Sequence, residues 1–467
     1  MKKILIIFGA VLLSACNFLE IDPIGQVIPH TVSDYRAMLT KAYDTYPDSR
    51  SRLSWPSDEV QALDPSNSSF TSTIMNITWR ADNSAAREYD YEGYYKVIFY
   101  VNEVADKILE ADTDGSNESR SQILAEALAL RAYSYFELMN MYSKWYDAST
   151  ASTDLSVPLT TEIDIKQEFP RATVEQVYNQ IISDIELARE NMEVDIQEKD
   201  YNYRFSGAAL DAFEARVRLY RGEWAKALEL AKAVIARESE TLKLDDMNVD
   251  EFARPFADTS TEAIMALEQV FGTNIYDMDE TLISSTIGDL FVTGDIRKGK
   301  YCKLYEPFMM DYSNYFYRAT YSSASGYYQG KFKTRVTFRL SEMYLIAAEA
   351  AANSSDFSAA RGYLTTLQAN RFEAASLPDL NAVSDVDLLE EIAEERAREL
   401  LLEGHRWYDL KRTTRPAIHK KVYTSYNMDW FLFEEQITWE EYDLAKDDPR
   451  YILPFPISAK NVNPYLN

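Results

Sequence analysis

Apolar residues recur every three or four positions through much of this chain, and that period predicts helices. The pattern runs through 33–47, 92–111, 121–143, 173–193, 206–238 and 339–371, and 387–411 continues it. Between about 240 and 335 the period is lost. Gly, Ser, Asp and Tyr replace Ala and Leu there, which predicts loops with short strands. Residues 413–467 are likewise irregular, rich in aromatic residues and proline.

Inside the helical blocks there is a repeat. Ala212, Ala215, Leu219, Gly222, Trp224, Ala227, Leu228 and Ala231 describe a helix, a tight turn and a second helix. Small residues at the crossing let the two helices approach, and Gly222 permits the turn. The spacing from Gly222 through Trp224 to Ala227 and Ala231 resembles the second half of a tetratricopeptide repeat. Ala347, Ala348, Ala351, Phe357, Ala360 and Leu364 repeat the idea. The fold class expected is mainly α: a tetratricopeptide-like helical repeat scaffold with an irregular, loop-rich region carrying the binding site.

The first residues are an address. Lys2 and Lys3 precede an apolar run over 4–13, shorter than the roughly 20 residues a bilayer span needs but suited to a signal peptide. Leu13-Ser14-Ala15-Cys16 follows and resembles the lipobox of bacterial lipoproteins, which makes Cys16 the expected site of lipidation. With Cys16 acylated, Cys302 has no partner for an intrachain disulfide. A chain of this length buries enough apolar surface without one. The domain organisation expected is a lipoprotein signal peptide at 1–15, a helical region at 16–240, an aromatic-rich irregular insertion at 241–335 and a C-terminal region at 336–467.

Charge removes several functions. The formal net charge is −27, and −29 once Lys2 and Lys3 leave with the signal. Such a field repels phosphate backbones, so no nucleic acid partner is expected. Histidines are three, at 30, 405 and 419, and no zinc motif, nucleophile elbow, phosphate loop or dinucleotide fingerprint occurs. No cofactor and no metal site are expected, and no catalytic residue. Glu110-x-Asp112-x-Asp114-Gly115 has the start of a calcium loop, but its twelfth position is Ser121, and an acidic helix-ending turn accounts for it. Glu395, Arg396, Arg398, Glu399, Glu403, Arg406 and Asp409 crowd one helix and its end. Their three- and four-residue spacings read as a structural ion network rather than a glycosidase pair.

Binding chemistry is better supplied. Eleven of the thirty-two residues from 301 to 332 are aromatic, against 13% for the chain. A flat ring packs on the C–H face of a pyranose while amides, carboxylates and guanidiniums read its hydroxyls. Tyr312, Asn314, Tyr315, Tyr317, Arg318, Tyr321 and Tyr327 are the ligand-binding candidates of this segment. A second patch combines Trp55, beside Asp58 and Glu59, with Trp79, Arg80, Asp82 and Asn83. Trp79 is its expected stacking platform.

Several motifs in order carry a family resemblance. After Cys16-Asn17-Phe18-Leu19-Glu20 come Tyr94-Tyr95-Lys96-Val97-Ile98 with Asn102, and Glu126-Ala127-Leu128-Ala129-Leu130-Arg131-Ala132-Tyr133. Then follow Arg339-Leu340-Ser341-Glu342-Met343-Tyr344, Glu403-Gly404-His405-Arg406-Trp407-Tyr408-Asp409-Leu410-Lys411-Arg412, and Leu453-Pro454-Phe455-Pro456 with Asn463-Pro464. The ordered set resembles the SusD/RagB family of outer-membrane nutrient-binding lipoproteins. It departs from the family in Phe455, where the closing motif usually has Ile between prolines, and in Ala459, near the place of a glutamate. The resemblance implies a lipid-anchored, surface-exposed outer-membrane protein that is not an enzyme. Its implied partners are a glycan ligand and a SusC-like TonB-dependent transporter. It also implies that the early patch and the central aromatic segment meet at the ligand site. A RagB-like peptide-binding lipoprotein is the alternative, and a surface glycoside hydrolase the weakest reading.

Overall fold

The computed structural model describes residues 29–63, 71–80, 89–163, 166, 168–250, 255–270, 281–305, 316–319, 334–429 and 434–467. The fold is mainly helical. Its helices are α1 (Val32–Asp44), α2 (Thr71–Ile77), α3 (Tyr91–Lys107), α4 (Arg120–Tyr142), α5 (Val174–Asn191), α6 (Gly207–Tyr220) and α7 (Trp224–Ile235). They continue with α8 (Ser285–Gly288), α9 (Leu340–Asn353), α10 (Phe357–Ala369), α11 (Leu388–Glu399), α12 (Arg406–Arg412) and α13 (Ile457–Val462).

Local chemistry fixes the helix ends. Thr31 Oγ1 accepts from Asp34 N at 3.2 Å while Asp34 Oδ2 accepts from Thr31 N at 3.0 Å, a capping box that starts α1. Thr173 and Gln176 do the same for α5. The period over 206–238 resolves into the pair α6 and α7, turned by Gly222 at φ +72°. The period over 339–371 becomes α9 and α10, and Asp356 caps the second helix by accepting from Ala359 N at 3.0 Å. Consecutive helices pack side by side: α6 on α7, α7 on α9, and α9 on α10 and α11. At the centre α4 is buried on almost every face, sandwiched between α3 and α5.

Two expectations need correction. The 387–411 stretch is not one helix. It breaks after Glu399, and the chain turns through Leu402 (φ +62°) and Gly404 (φ +77°) before α12. Arg50 reaches in to donate to Glu403 O at 3.0 Å, and Leu402 N donates to Glu59 at 2.8 Å. Tertiary partners thus take backbone groups that helix continuation would have used. The second correction concerns 413–467, expected to be irregular: β9 (Ile418–Asp429) and β10 (Glu434–Leu444) form a long antiparallel hairpin there. Its inner face buries Ile418, Lys420 and Val422, and the lysine masks the apolar alternation that marks a strand.

That hairpin enters a six-stranded sheet of order β10-β9-β1-β5-β7-β6. The other members are β1 (Val60–Leu63), β5 (Thr281–Ile283), β6 (Cys302–Tyr305) and β7 (Phe316–Ala319). Two small ribbons complete the strands, β2 (Leu155–Pro158) with β3 (Arg171–Thr173), and β4 (Ala263–Met265) with β8 (Phe338–Arg339). Short strands between 240 and 335 are as the lost helical period predicted. The sheet has its own apolar core, which includes Trp55, Ile74, Ile77, Phe291, Leu401 and Val422, beside the larger core of the helices.

Candidate functional site

One sheet holds strands that adjoin both candidate regions of the sequence. Strand β1 lies just after Trp55 and pairs antiparallel with β5, which pairs with β7 through Ile283 and Tyr317. Strand β7 holds Tyr317 and Arg318, opposite Leu304 and Lys303 of β6. Asp82, Asn83, Tyr312, Asn314, Tyr315, Tyr321 and Tyr327 lie outside the described residues, as does Cys16.

Around β1 the early patch is largely committed to structure. Trp55 is 3% exposed, and its carbonyl accepts from the buried Lys420 Nζ. Trp79 is 7% exposed, donates from Nε1 to Pro56 O at 2.7 Å, and holds Lys420 Nζ 4.8 Å from its ring centroid. The expectation that Trp79 offers an open stacking face is therefore corrected: its ring packs inward. Its backbone shows why. Trp79 ends α2 at φ +54°, with Arg80 N donating back to Met75 O at 2.8 Å, a helix-ending position that favours glycine. That geometry turns the ring under β9. Arg80 stays exposed, its guanidinium 4.4 Å from the centroid of the Tyr442 ring.

The acids of the patch are also occupied. Asp58 takes both Nε and Nη2 of Arg406 at 2.8 Å. Glu59 accepts from Leu402 N at 2.8 Å and from Ser57 Oγ at 3.2 Å. Burial pushes the Glu59 carboxyl up to about 7 and the Lys420 amine down to about 7. Glu59 pins β1 to the turn between α11 and α12, and Lys420 pins β9 to Trp55.

The charged motif beyond that turn is a buried ion network. Glu399 receives Arg297 Nη1 at 2.9 Å, Arg339 Nη1 at 2.5 Å and Arg371 Nη2 at 2.9 Å. Burial raises its carboxyl, but Arg371, Arg339 and Arg297 overcome this and hold it well below the usual range. Glu395 pairs with Arg297 and with Arg398, whose Nη2 lies 2.7 Å from it. Glu403 takes Arg339 Nη2 at 2.8 Å. Each of these carboxylates is at most 2% exposed, so none can face a substrate across a cleft. Burial and then the nearby Arg50 hold His405 well below its usual value, a neutral packed imidazole. In the acidic turn, Asp114 accepts from Ser33 N and Ser116 N at 3.1 Å each, a loop-capping role.

What the sequence pattern missed is the outer face of the β9–β10 hairpin. Register places Trp439 opposite Tyr423, Glu441 opposite Lys421 and Asp443 opposite His419. Trp439 is 46% exposed. Alternation of polar and aromatic residues at 419, 421, 423 and 439, 441, 443 was the available signal. Away from the sheet, a cavity of about 880 Å³ opens between the α6–α7 turn, α11 and α12. Tyr220, Trp224, Glu390, Glu394 and Arg412 are among its walls.

Comparison with known proteins places this arrangement. A family model described as "Starch-binding associating with outer membrane" matches residues 17–219, and the model of the SusD family matches 305–467. Together they take in well over half of the chain. The chain belongs to the SusD/RagB family. SusD-like protein P38 of Formosa agariphila is 25% identical, over 88% of this chain and 90% of that protein. A SusD superfamily structure from Bacteroides thetaiotaomicron superposes with a TM-score of 0.73 at 22% identity, covering 93% of this chain and 98% of the other. A laminarin-binding SusD-like protein matches with a TM-score of 0.62 at 24% identity, over 82% of this chain and 92% of its own. SusD-like proteins bind carbohydrate and are not enzymes, and they associate with the outer membrane. Among the described residues no helix is long and apolar enough to cross a membrane.

Proposed function

We propose that this SusD-family protein is a lipid-anchored, surface-exposed receptor of the outer membrane. It captures oligosaccharides or polysaccharides and delivers them to a SusC-like TonB-dependent transporter. The observation that carries this reading is the sheet that joins the Trp55–Arg80 segment to β7, the strand bearing Tyr317 and Arg318. Strand β7 lies in a segment of the sequence rich in rings, and flat rings with hydrogen-bonding groups are what a pyranose needs. The locked state of Glu395, Glu399 and Glu403 supports binding without turnover.

Isothermal titration against plant, host and microbial polysaccharides tests the ligand class. The expected result is binding of at least one, with the glycan recovered chemically unchanged. Loss of that binding in the double variant Tyr317→Ala, Arg318→Ala places the contact on β7. Anchoring is tested by fractionation: Cys16→Ser should move the protein from the membrane to the soluble fraction. Co-purification of the transporter with the anchored protein tests delivery.

Capture of basic peptides is the second reading, and the cavity beside α11 favours it. Its four arginines are paired, Arg221 with Glu223, Arg396 with Asp409, Arg406 with Asp58 and Arg412 with Glu349. Among the described residues Glu390 and Glu394 on its wall make no ion pair, so they are the acids of the wall left to meet a cationic ligand. Titration with lysine- and arginine-rich peptides, beside the glycan panel, separates the two readings.

A further inference from the structure

The outer face of the β9–β10 hairpin carries a second group of residues suited to sugar. Side chains alternate across a strand, so Trp439, Glu441 and Asp443 share one face of β10 with His419 and Lys421 of β9. The opposite face buries Ile418, Lys420, Val422 and Leu444 against the body. On the outer face everything converges on Glu441. Trp439 Nε1 donates to its Oε1 at 3.1 Å, while Lys421 Nζ and His419 Nε2 each lie 3.9 Å from the same oxygen. Lys421 Nζ also stands 4.6 Å from the Trp439 ring centroid, and His419 Nδ1 is 2.8 Å from Asp443 Oδ1. The indole is thus held by named partners while nearly half of the residue stays in solvent.

Large aromatic residues on a solvent-facing strand need a reason, because water disfavours them there and they invite association. Core packing is not the reason for Trp439, which is the inner residues' task. The face carries little net charge to attract an ion, since Lys421 offsets Glu441 and Asp443 alone is left, in contact with His419. What the face offers is a fixed ring flanked by hydrogen-bond donors and acceptors, spread over about 13 Å of strand from Trp439 to Asp443.

We propose that this face is a second glycan contact, engaging a neutral polysaccharide chain laid along β10. Trp439 stacks on one pyranose face, and Glu441, Lys421 and the His419–Asp443 pair take equatorial hydroxyls. This rests on the carbohydrate-binding reading above and adds a site separate from β7. Four inter-strand steps, about 19 Å, separate β10 from β7. A polymer long enough to cross that distance touches both.

The test is affinity electrophoresis of the full-length protein through gels containing starch, laminarin, xylan or galactomannan, with alginate as an anionic comparison. The expected result is retardation by at least one neutral polysaccharide, weakened about three- to tenfold in Trp439→Ala. Trp439→Phe, which keeps a ring, should bind nearly as well as the parent. Circular dichroism and melting of both variants should match the parent, since the indole lies outside the core. Equal retardation of Trp439→Ala and the parent overturns the hairpin contact and leaves the carbohydrate reading standing. Retardation by alginate alone overturns the neutral class. Retardation by none of the five overturns this proposal together with the reading it rests on.

Discussion

Glu59 is a carboxylate placed where water does not reach, with Leu402 N and Ser57 Oγ as its donors. Its folded pKa of about 7 lies above the ordinary value of 4.5, so the folded state holds a proton that the unfolded state has already lost. The sign follows from proton linkage. The contribution is full below about pH 4.5 and is lost as pH rises through about 7. The size is of order 3 kcal/mol. Glu59→Gln keeps an acceptor for Leu402 N and removes the ionisation. Urea unfolding at pH 5 and pH 8 should therefore show a smaller loss for the variant than for the parent. An equal loss in both would mean that Glu59 stays ionised in the folded protein. Trp79 carries a different lesson at the same scale. Its type and neighbours marked it as a stacking platform, yet its left-handed backbone turns the ring under Lys420. A backbone torsion set by the end of α2 cannot be read from residue type.

At the scale of elements, the turn between α11 and α12 holds much of the molecule together. Gly404 sits at φ +77°, and a Cβ there would lie 2.4 Å from the backbone oxygen of Arg50. Gly404→Ala meets both a disfavoured torsion and a backbone clash, so a loss of about 2–4 kcal/mol is expected in urea unfolding. Glu399→Gln should be worse placed still. It leaves Arg297, Arg339 and Arg371 buried around a neutral amide, and breaking such a cluster costs about 3–5 kcal/mol. A stable Glu399→Gln protein would show that the guanidiniums find other acceptors. The helices were legible because a 3.6-residue period survives wherever one stripe is buried, as in α5 with Val174, Val177, Tyr178, Ile181 and Ile185 inward. The break after Glu399 was not, since Arg50 and Glu59 act on it from more than 340 positions away in the chain. The hairpin was hidden for a related reason. Lys420 occupies an inner position because Trp55 O and the Trp79 ring receive its amine, a tertiary arrangement that no local pattern carries.

For the whole molecule the governing quantity is charge. A net −27 repels other polyanions, while a neutral sugar chain meets no such barrier. The stacking and hydrogen bonds proposed at β7 and the hairpin act over contact distances, whereas the repulsion acts over a screening length. That length falls from about 10 Å at 0.1 M salt to about 3 Å at 1 M. Affinity for a neutral polysaccharide should then change less than about twofold over this range, as titration at both salt concentrations would record. Any affinity for alginate should rise with salt, because repulsion is what the salt removes. The opposite trend, alginate binding that weakens as salt is added, would require a cluster of unpaired cations. Arg36, Arg131, Arg216 and Arg297 cannot form one, since each is buried and already paired to a carboxylate. The sign of the salt dependence therefore reads out which glycans this acidic surface admits, independently of which ring stacks on them.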